Sequence, residues 1–232
     1  MKIVALNLEQ EFPKGKLAVK DPRLDKLKDI FKAAKKTYPE IEIIAEERLS
    51  EADAVVARSE DKLQVIISDI DFIDKRLERS EDEAEKGVLL KVKGILEKEE
   101  LVTPEMLSAE EKKALQTYPL FCLRSVYLAT QEALADKNKL LQDLLPKAGF
   151  AQFFTAGDKD ARGWLIRSGT TAKEAAGEIH SDIQKGFIRA EIVPTADIIS
   201  VGSFNAVRSQ VRLEQKDYIV QDGDWITFRF NK

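Results

Sequence analysis

The apolar and polar positions change their period several times along the chain. KIVALNL at the start is a short apolar run, and it predicts a buried strand over residues 3–8. In DPRLDKLKDIFKAAKK, Leu24, Leu27, Phe31 and Ala34 recur at helical spacing. Asp21 suits the N-cap and Pro22 the first helical position, so an amphipathic helix follows. IEIIA (41–45) and ADAVVA (52–57) predict two more buried strands, and SVYLAT (125–130) a fourth. Apolar strands in strand–helix–strand order point to a small α/β layer.

Residues 65–117 have a different texture, charged and almost free of glycine. Ile66, Ile70, Ile73 and Leu77 step 4-3-4, the seam of a coiled-coil helix. A turn is expected at Gly87, a returning helix over VLLKVKGILEKEEL, and a fresh helix start at TPEM with Pro104 in first position. The C-terminal part changes again. RGWLIRS (162–168) predicts a strand, and Thr171 with Glu174 fits a capping box whose helix should stop at Gly186. FIRAEIV (187–193) predicts a strand with Ile188, Ala190 and Ile192 on one face. DYIV (217–220) and DWITFRF (224–230) flank Gln221-Asp222-Gly223, which reads as a hairpin turn. Such a series suggests a compact β-grasp domain, ubiquitin-like in outline.

Composition narrows the chemistry. The chain has 232 residues and a net charge of −4, so a nucleic-acid surface would have to be a local patch. Cys122 is the only cysteine, which excludes an intrachain disulfide and fits a reducing compartment. No signal peptide opens the chain and no apolar run approaches the ~20 residues of a membrane span, so a cytoplasmic protein is expected. His180 is the only histidine. With no Cys/His cluster and no Ser-His-Asp arrangement in view, no metal, cofactor or catalytic residue is expected. DIDFID carries carboxylates at 69, 71 and 74; Asp71 and Asp74 share a helix face and read as a solvated surface, as do the charged blocks of 65–117.

GDKDARGWLIRSGTTAKEAAGEIHSDIQKGFIRAEIV, with RLEQKDYIVQDGDWITFRFNK, resembles the C-terminal TGS domain of the YchF-type (Obg-like) P-loop NTPases. The resemblance continues upstream in pieces. VKDPRLDKLKDIFK is similar to the segment after the family's first switch, and IEIIAEERL to the strand leading into its D-x-x-G motif. ADAVVARSED resembles the next strand, IISDIDFIDKRLE the start of the inserted coiled-coil hairpin, and RSVYLATQE the strand bearing the base-reading Asn. What the resemblance implies is α/β plus α+β. Residues 1–64 and 118–157 would form a reduced P-loop-like core, 65–117 an inserted helical hairpin, and 158–232 a TGS ubiquitin-like β-grasp domain.

The family's nucleotide residues do not carry over. A P-loop needs G-x-x-x-x-G-K-[ST]. In NLEQEFPKGKL the first glycine position is Gln10, and Leu17 follows Lys16. At D-x-x-G the Asp position is Ala45 and the Gly position Arg48, and Thr130 stands near the base-reading Asn. Phosphoryl transfer rests on positioning and electrostatic stabilisation, so no NTPase activity and no nucleotide-binding residue is expected. Strand alternation puts Trp225, Thr227 and Arg229 on one face of the C-terminal sheet. With Arg167, Lys185 and Arg189 they make a candidate surface for stacking a base and holding phosphates. The alternative is that Trp225 packs under the helical hairpin and the arginines pair with Glu191 or Asp224. The resemblance implies a non-catalytic RNA- or ribosome-associated protein. Its rivals are a residual ATP/GTP binder without hydrolysis, and a protein-interaction module docking through the hairpin.

Overall fold

The structure, a computed structural model, describes residues 1–103 and 106–231. The chain divides into two compact units, residues 1–17 with 41–140 and residues 18–40 with 141–232. No helix among the described residues is long and apolar enough to cross a membrane.

The first unit is built on a sheet ordered β2-β4-β1-β5-β6. Its strands are β1 (Lys2–Ala5), β2 (Gly15–Ala18), β4 (Glu40–Ile44), β5 (Ala54–Arg58) and β6 (Ser125–Ala129). β1 runs parallel to β4 and β5, and β5 parallel to β6. Ile3, Val4, Ile43, Ile44, Val55 and Val56 are buried, the near-continuous apolar pattern that parallel strands covered on both faces require. The four strands read from the sequence are β1, β4, β5 and β6; the short edge strand β2 was not among them.

Between β5 and β6 stand α2 (Lys62–Leu77), α3 (Glu83–Leu96) and α4 (Ala109–Leu115). Ile66 and Ile73 of α2 pack with Leu89, Val92 and Leu96 of α3, so the 4-3-4 seam is the hairpin's core. The turn is not at Gly87, which lies inside α3. Asp82 begins α3 instead, its carboxylate accepting from Ala84 N–H at 2.8 Å; a helix tolerates an internal glycine at about 1 kcal/mol, whereas a good N-cap fixes where it starts. The start expected at TPEM depends on Pro104, which lies outside the described residues; α4 starts at a capping box of Ser108 and Glu111. Asp69 in α2 faces inward. It is buried, and its two carboxylate oxygens accept from the N–H groups of Phe121 and Cys122, each at 2.8 Å. α5 (Gln131–Ala135) and α6 (Lys137–Lys147) follow β6.

The second unit is a six-stranded mixed sheet ordered β10-β9-β11-β7-β8-β3. Its strands are β3 (Lys35–Thr37), β7 (Phe150–Ala156), β8 (Asp160–Arg167), β9 (Phe187–Pro194), β10 (Arg212–Glu214) and β11 (Asp224–Phe230). One face, with Phe153, Ile192, Ile226 and Phe228, packs on Ala172, Ala175 and Ala176 of α7 (Ala172–Ile179). The Thr171–Glu174 capping box is formed. α7 breaks at His180, and α8 (Ser181–Lys185) ends at Gly186. The other face, with Phe154, Val193 and Trp225, packs on α1 (Pro22–Phe31), α9 (Thr195–Val201) and α10 (Phe204–Val207) through Leu24, Leu27, Ile198 and Val207.

The boundaries therefore differ from those read in the sequence. Residues 18–40 join the C-terminal sheet, not the parallel core, and the sheet begins at Phe150, before residue 158. Arg23 helps fix α1 there, reaching Asp21 at 2.7 Å and Asp222 at 2.6 Å. DYIV is not a strand of a hairpin. β11 pairs antiparallel with β9 and parallel with β7, and Ile219 makes only an isolated bridge to Thr171. The reason is turn chemistry: Asp224 accepts from Gln221 N–H (3.0 Å) and Tyr218 O–H (2.9 Å), which folds 218–224 into a loop. Ala190 and Ile192 face the α7 core, but Ile188 is 47% exposed, because the β9–β11 register shifts at Arg229/Phe230.

Candidate functional site

Parallel α/β sheets bind ligands at the carboxyl ends of their strands. At the end of β1 the chain turns back at once. Asn7 adopts a left-handed conformation, φ 54°, and Phe12 N–H donates to Leu8 C=O at 2.7 Å. Leu6, Leu8 and Phe12 are buried beneath this turn. Arg58, at the end of β5, locks it from the side, donating to Asn7 C=O (2.6 Å) and Glu11 (2.9 Å). Gly15 and Lys16 open β2 and are not part of the turn after β1.

The cavity beside the ends of β1 and β4 is about 110 Å³, lined by Phe12, Lys14, Glu9, Glu46 and Glu47 among others. A phosphate cradle needs a ring of N–H donors and positive potential. Here three carboxylates face one ammonium. A second cavity, about 340 Å³, lies at the ends of β5 and β6 among Arg58, Ser59, Glu60, Thr130, Gln131 and Glu132. The Thr130 hydroxyl there accepts from Ala133 N–H at 3.3 Å and caps α5.

The five surface residues expected from the sequence are not all brought together. Trp225 does lie on the Thr227/Arg229 face but is only 5% exposed. Its ring stacks on Phe31 (centroids 5.7 Å) and packs against Phe204 (4.6 Å), and its indole N–H reaches Ala156 C=O at 3.3 Å. It is no stacking platform, and its cover is α1 and α10, not the helical hairpin. Arg167, at the end of β8, lies 4.2 Å over the Phe150 ring. Lys185 ends α8 and lines an open groove of about 740 Å³ with His180, Ile183 and Phe230. His180 is structural, its Nδ1 accepting from Asp182 N–H at 3.1 Å. Burial pushes the Cys122 thiol up, so it is a core residue and no nucleophile.

Arg189 and Arg229 do meet, directly opposite one another on β9 and β11. Arg229 donates to both oxygens of Glu191, Nε at 2.8 Å and Nη2 at 3.0 Å. That pairing holds its guanidinium above the usual arginine value. Beside them is a cleft of about 330 Å³, with Phe204, Val211 and Trp225 as its apolar lining and Arg208, Thr227, Glu191 and Arg229 as its polar one. Arg208 was not legible beforehand. It enters because α9 and α10 fold across the sheet; Gly202, a left-handed C-cap at φ 66°, was the available signal.

The family model YchF-GTPase_C, described as a protein of unknown function, matches residues 150–231. An Obg-like ATPase 1 of Pongo abelii is 48% identical over 120 residues, covering 45% of this chain and 30% of that protein. The ribosome-binding ATPase YchF of Bacillus subtilis is 44% identical over 106 residues, 45% of this chain and 28% of that one. The match thus spans less than a third of these relatives' length. The solved YchF GTPase of Schizosaccharomyces pombe superposes with a TM-score of 0.75 at 16% identity, covering 99% of this chain and 97% of the other. The mixed α/β fold with two sheets is shared with it.

Proposed function

This chain is a relative of the YchF-type, Obg-like ATPases, and on that premise we propose that it is a non-catalytic RNA-binding protein working at the ribosome in the cytoplasm. The observation that carries the reading is the arginine cleft, where Arg208 and Arg229 face a single carboxylate, Glu191, and Arg189 lies opposite Arg229 on β9. Such a basic patch suits phosphates in a chain whose net charge is −4. We read residues 158–232, with β7, as a TGS β-grasp domain. The loss of catalysis is inferred from the strand ends. The turn held by Arg58 and filled by Phe12 stands in place of a Gly-rich loop, and Glu9, Glu46 and Glu47 repel the phosphates that phosphoryl transfer must position. A relative named for ribosome binding suggests where the RNA is met.

Co-sedimentation with ribosomes and an RNA binding assay at low salt test the reading, with binding falling steeply as salt rises. The melting temperature should not move with millimolar Mg-ATP or Mg-GTP; at about 100 times Kd a true ligand adds about 2.7 kcal/mol, a shift of several degrees. Such a shift would refute the reading of the core. Absence of ribosome and RNA binding at low salt would refute the rest.

A further inference from the structure

β9 and β11 place Arg189 and Arg229 side by side in register. Like charges directly opposite destabilise an antiparallel pair, and Glu191 answers only one of the two, through the Arg229 fork. Across the cleft stands Arg208. Among the described residues neither Arg189 nor Arg208 has an ion-pair partner. The cleft holds two guanidinium groups to one carboxylate, with a third, Arg189, opposite Arg229 on β9, an arrangement that an anion would relieve.

The cleft's volume, about 330 Å³, is at the low end of the ~300–1,000 Å³ typical of ligand sites. Its floor is sealed by Trp225, so it offers no deep apolar pocket for a protein side chain to anchor in, which a protein interface needs at its centre. Its polar lining is Arg208, Arg229, the Thr227 hydroxyl and Glu191. A guanidinium fork fits carboxylate and phosphate with the same geometry. Glu191 therefore fills the position a phosphate would take on Arg229.

We infer that this cleft binds the phosphodiester backbone of single-stranded RNA, and that Glu191 is an internal phosphate mimic displaced from Arg229 when RNA binds. The inference rests on the RNA-binding reading above. A slot walled by α10 on one side and β11 on the other admits one backbone; a duplex would need a broader basic track.

The test is fluorescence anisotropy of a labelled oligouridine across a salt series, with Glu191→Gln, Arg229→Ala and the double variant. Circular dichroism melts confirm that each is folded. Releasing Arg229 from an exposed ion pair should tighten RNA binding by roughly two- to fivefold in Glu191→Gln. Arg229→Ala should weaken binding and lower the slope of log affinity against log salt by about 0.7, one phosphate contact on a single strand. In the double variant the gain from Glu191→Gln should vanish. If the wild type binds oligouridine but Glu191→Gln is unchanged, or gains equally without Arg229, the gate is refuted and the RNA reading survives. If the wild type binds no RNA, both fall. Equal competition by polyglutamate, or a preference for duplex RNA, also overturns the assignment.

Discussion

Trp225 separates an internal anchor from a base-stacking platform. Its ring lies between Phe31 and Phe204, and its N–H is bonded to Ala156 C=O at 3.3 Å. Truncating a buried tryptophan to alanine costs about 3–5 kcal/mol, a large part of the ~5–15 kcal/mol that holds a domain. Trp225→Phe is the informative change. It keeps an aromatic ring against Phe31 and Phe204 but leaves the Ala156 carbonyl without its donor, at about 1–3 kcal/mol. Urea unfolding followed by circular dichroism measures the loss, and an unchanged m-value shows that the folded state is preserved. RNA affinity is then measured under conditions where the variant is fully folded. With the indole buried, Trp225→Phe should bind within about twofold of the wild type, since a lost base–indole stack would cost about 1–3 kcal/mol. A tenfold loss of RNA affinity with stability intact would refute the buried-anchor argument. So would a Trp225→Ala protein as stable as the wild type.

Asp69 makes a pH prediction. Burial raises its carboxyl from 3.8 to about 6, against the pull of the Phe121 and Cys122 N–H groups and of Arg124. A raised folded value means that stability is full below the unfolded value and is lost as pH rises through about 6. At about 1.4 kcal/mol per tenfold change in proton affinity, the difference approaches 3 kcal/mol. The wild type should therefore lose stability relative to Asp69→Asn between about pH 4 and pH 7. Neither neighbouring group, Cys122 nor Arg124, changes charge in that window, and parallel urea midpoints for the two proteins would contradict the assignment. Gly186→Ala tests the chain end. A Cβ there would overlap the Asn231 carbonyl oxygen, and Asn231 N–H donates to Gly186 C=O at 2.9 Å. The variant should lose about 1–3 kcal/mol and the hydrogen-exchange protection of the Asn231 amide; unchanged protection would show that the close approach does not matter.

The parallel strands were legible because a strand buried on both faces must be apolar along its whole length, as Ile3–Val4 and Val55–Val56 are. The helix α1 was legible too, but not its location. An amphipathic stripe such as Leu24, Leu27 and Phe31 states that one face is covered, not by what; its partners Phe154 and Trp225 are more than a hundred residues away. The same limit applies at the site. Alternation put Trp225, Thr227 and Arg229 on one face correctly, and pairing of the arginines with Glu191 was one of two readings open. Arg208 needed the fold, because α10 reaches the sheet only after Gly202 turns the chain. The error at DYIV was of another kind. An apolar run beside the Gln221-Asp222-Gly223 turn signal resembled one arm of a hairpin, while Asp224 was already committed to Tyr218 and Gln221 as a loop brace.

Along β11 one face runs from buried Trp225 through Thr227 to exposed Arg229, and this gradient explains how a floor and a recognition edge share one strand. Trp225 is fixed from above by Phe31 and Phe204, and β11 is fixed on both sides by β9 and β7. Arg229 therefore projects from a central strand that cannot shift without breaking two ladders. Its guanidinium is further oriented by Glu191 before any ligand arrives. A group already held in its binding geometry loses little side-chain entropy on association. The carboxylate that holds Arg229 in place also competes for it, so Glu191 trades affinity for orientation. Glutamine at that position drops the charge and keeps one of the two oxygen acceptors, so the Glu191→Gln variant removes the electrostatic competition while retaining part of the positioning.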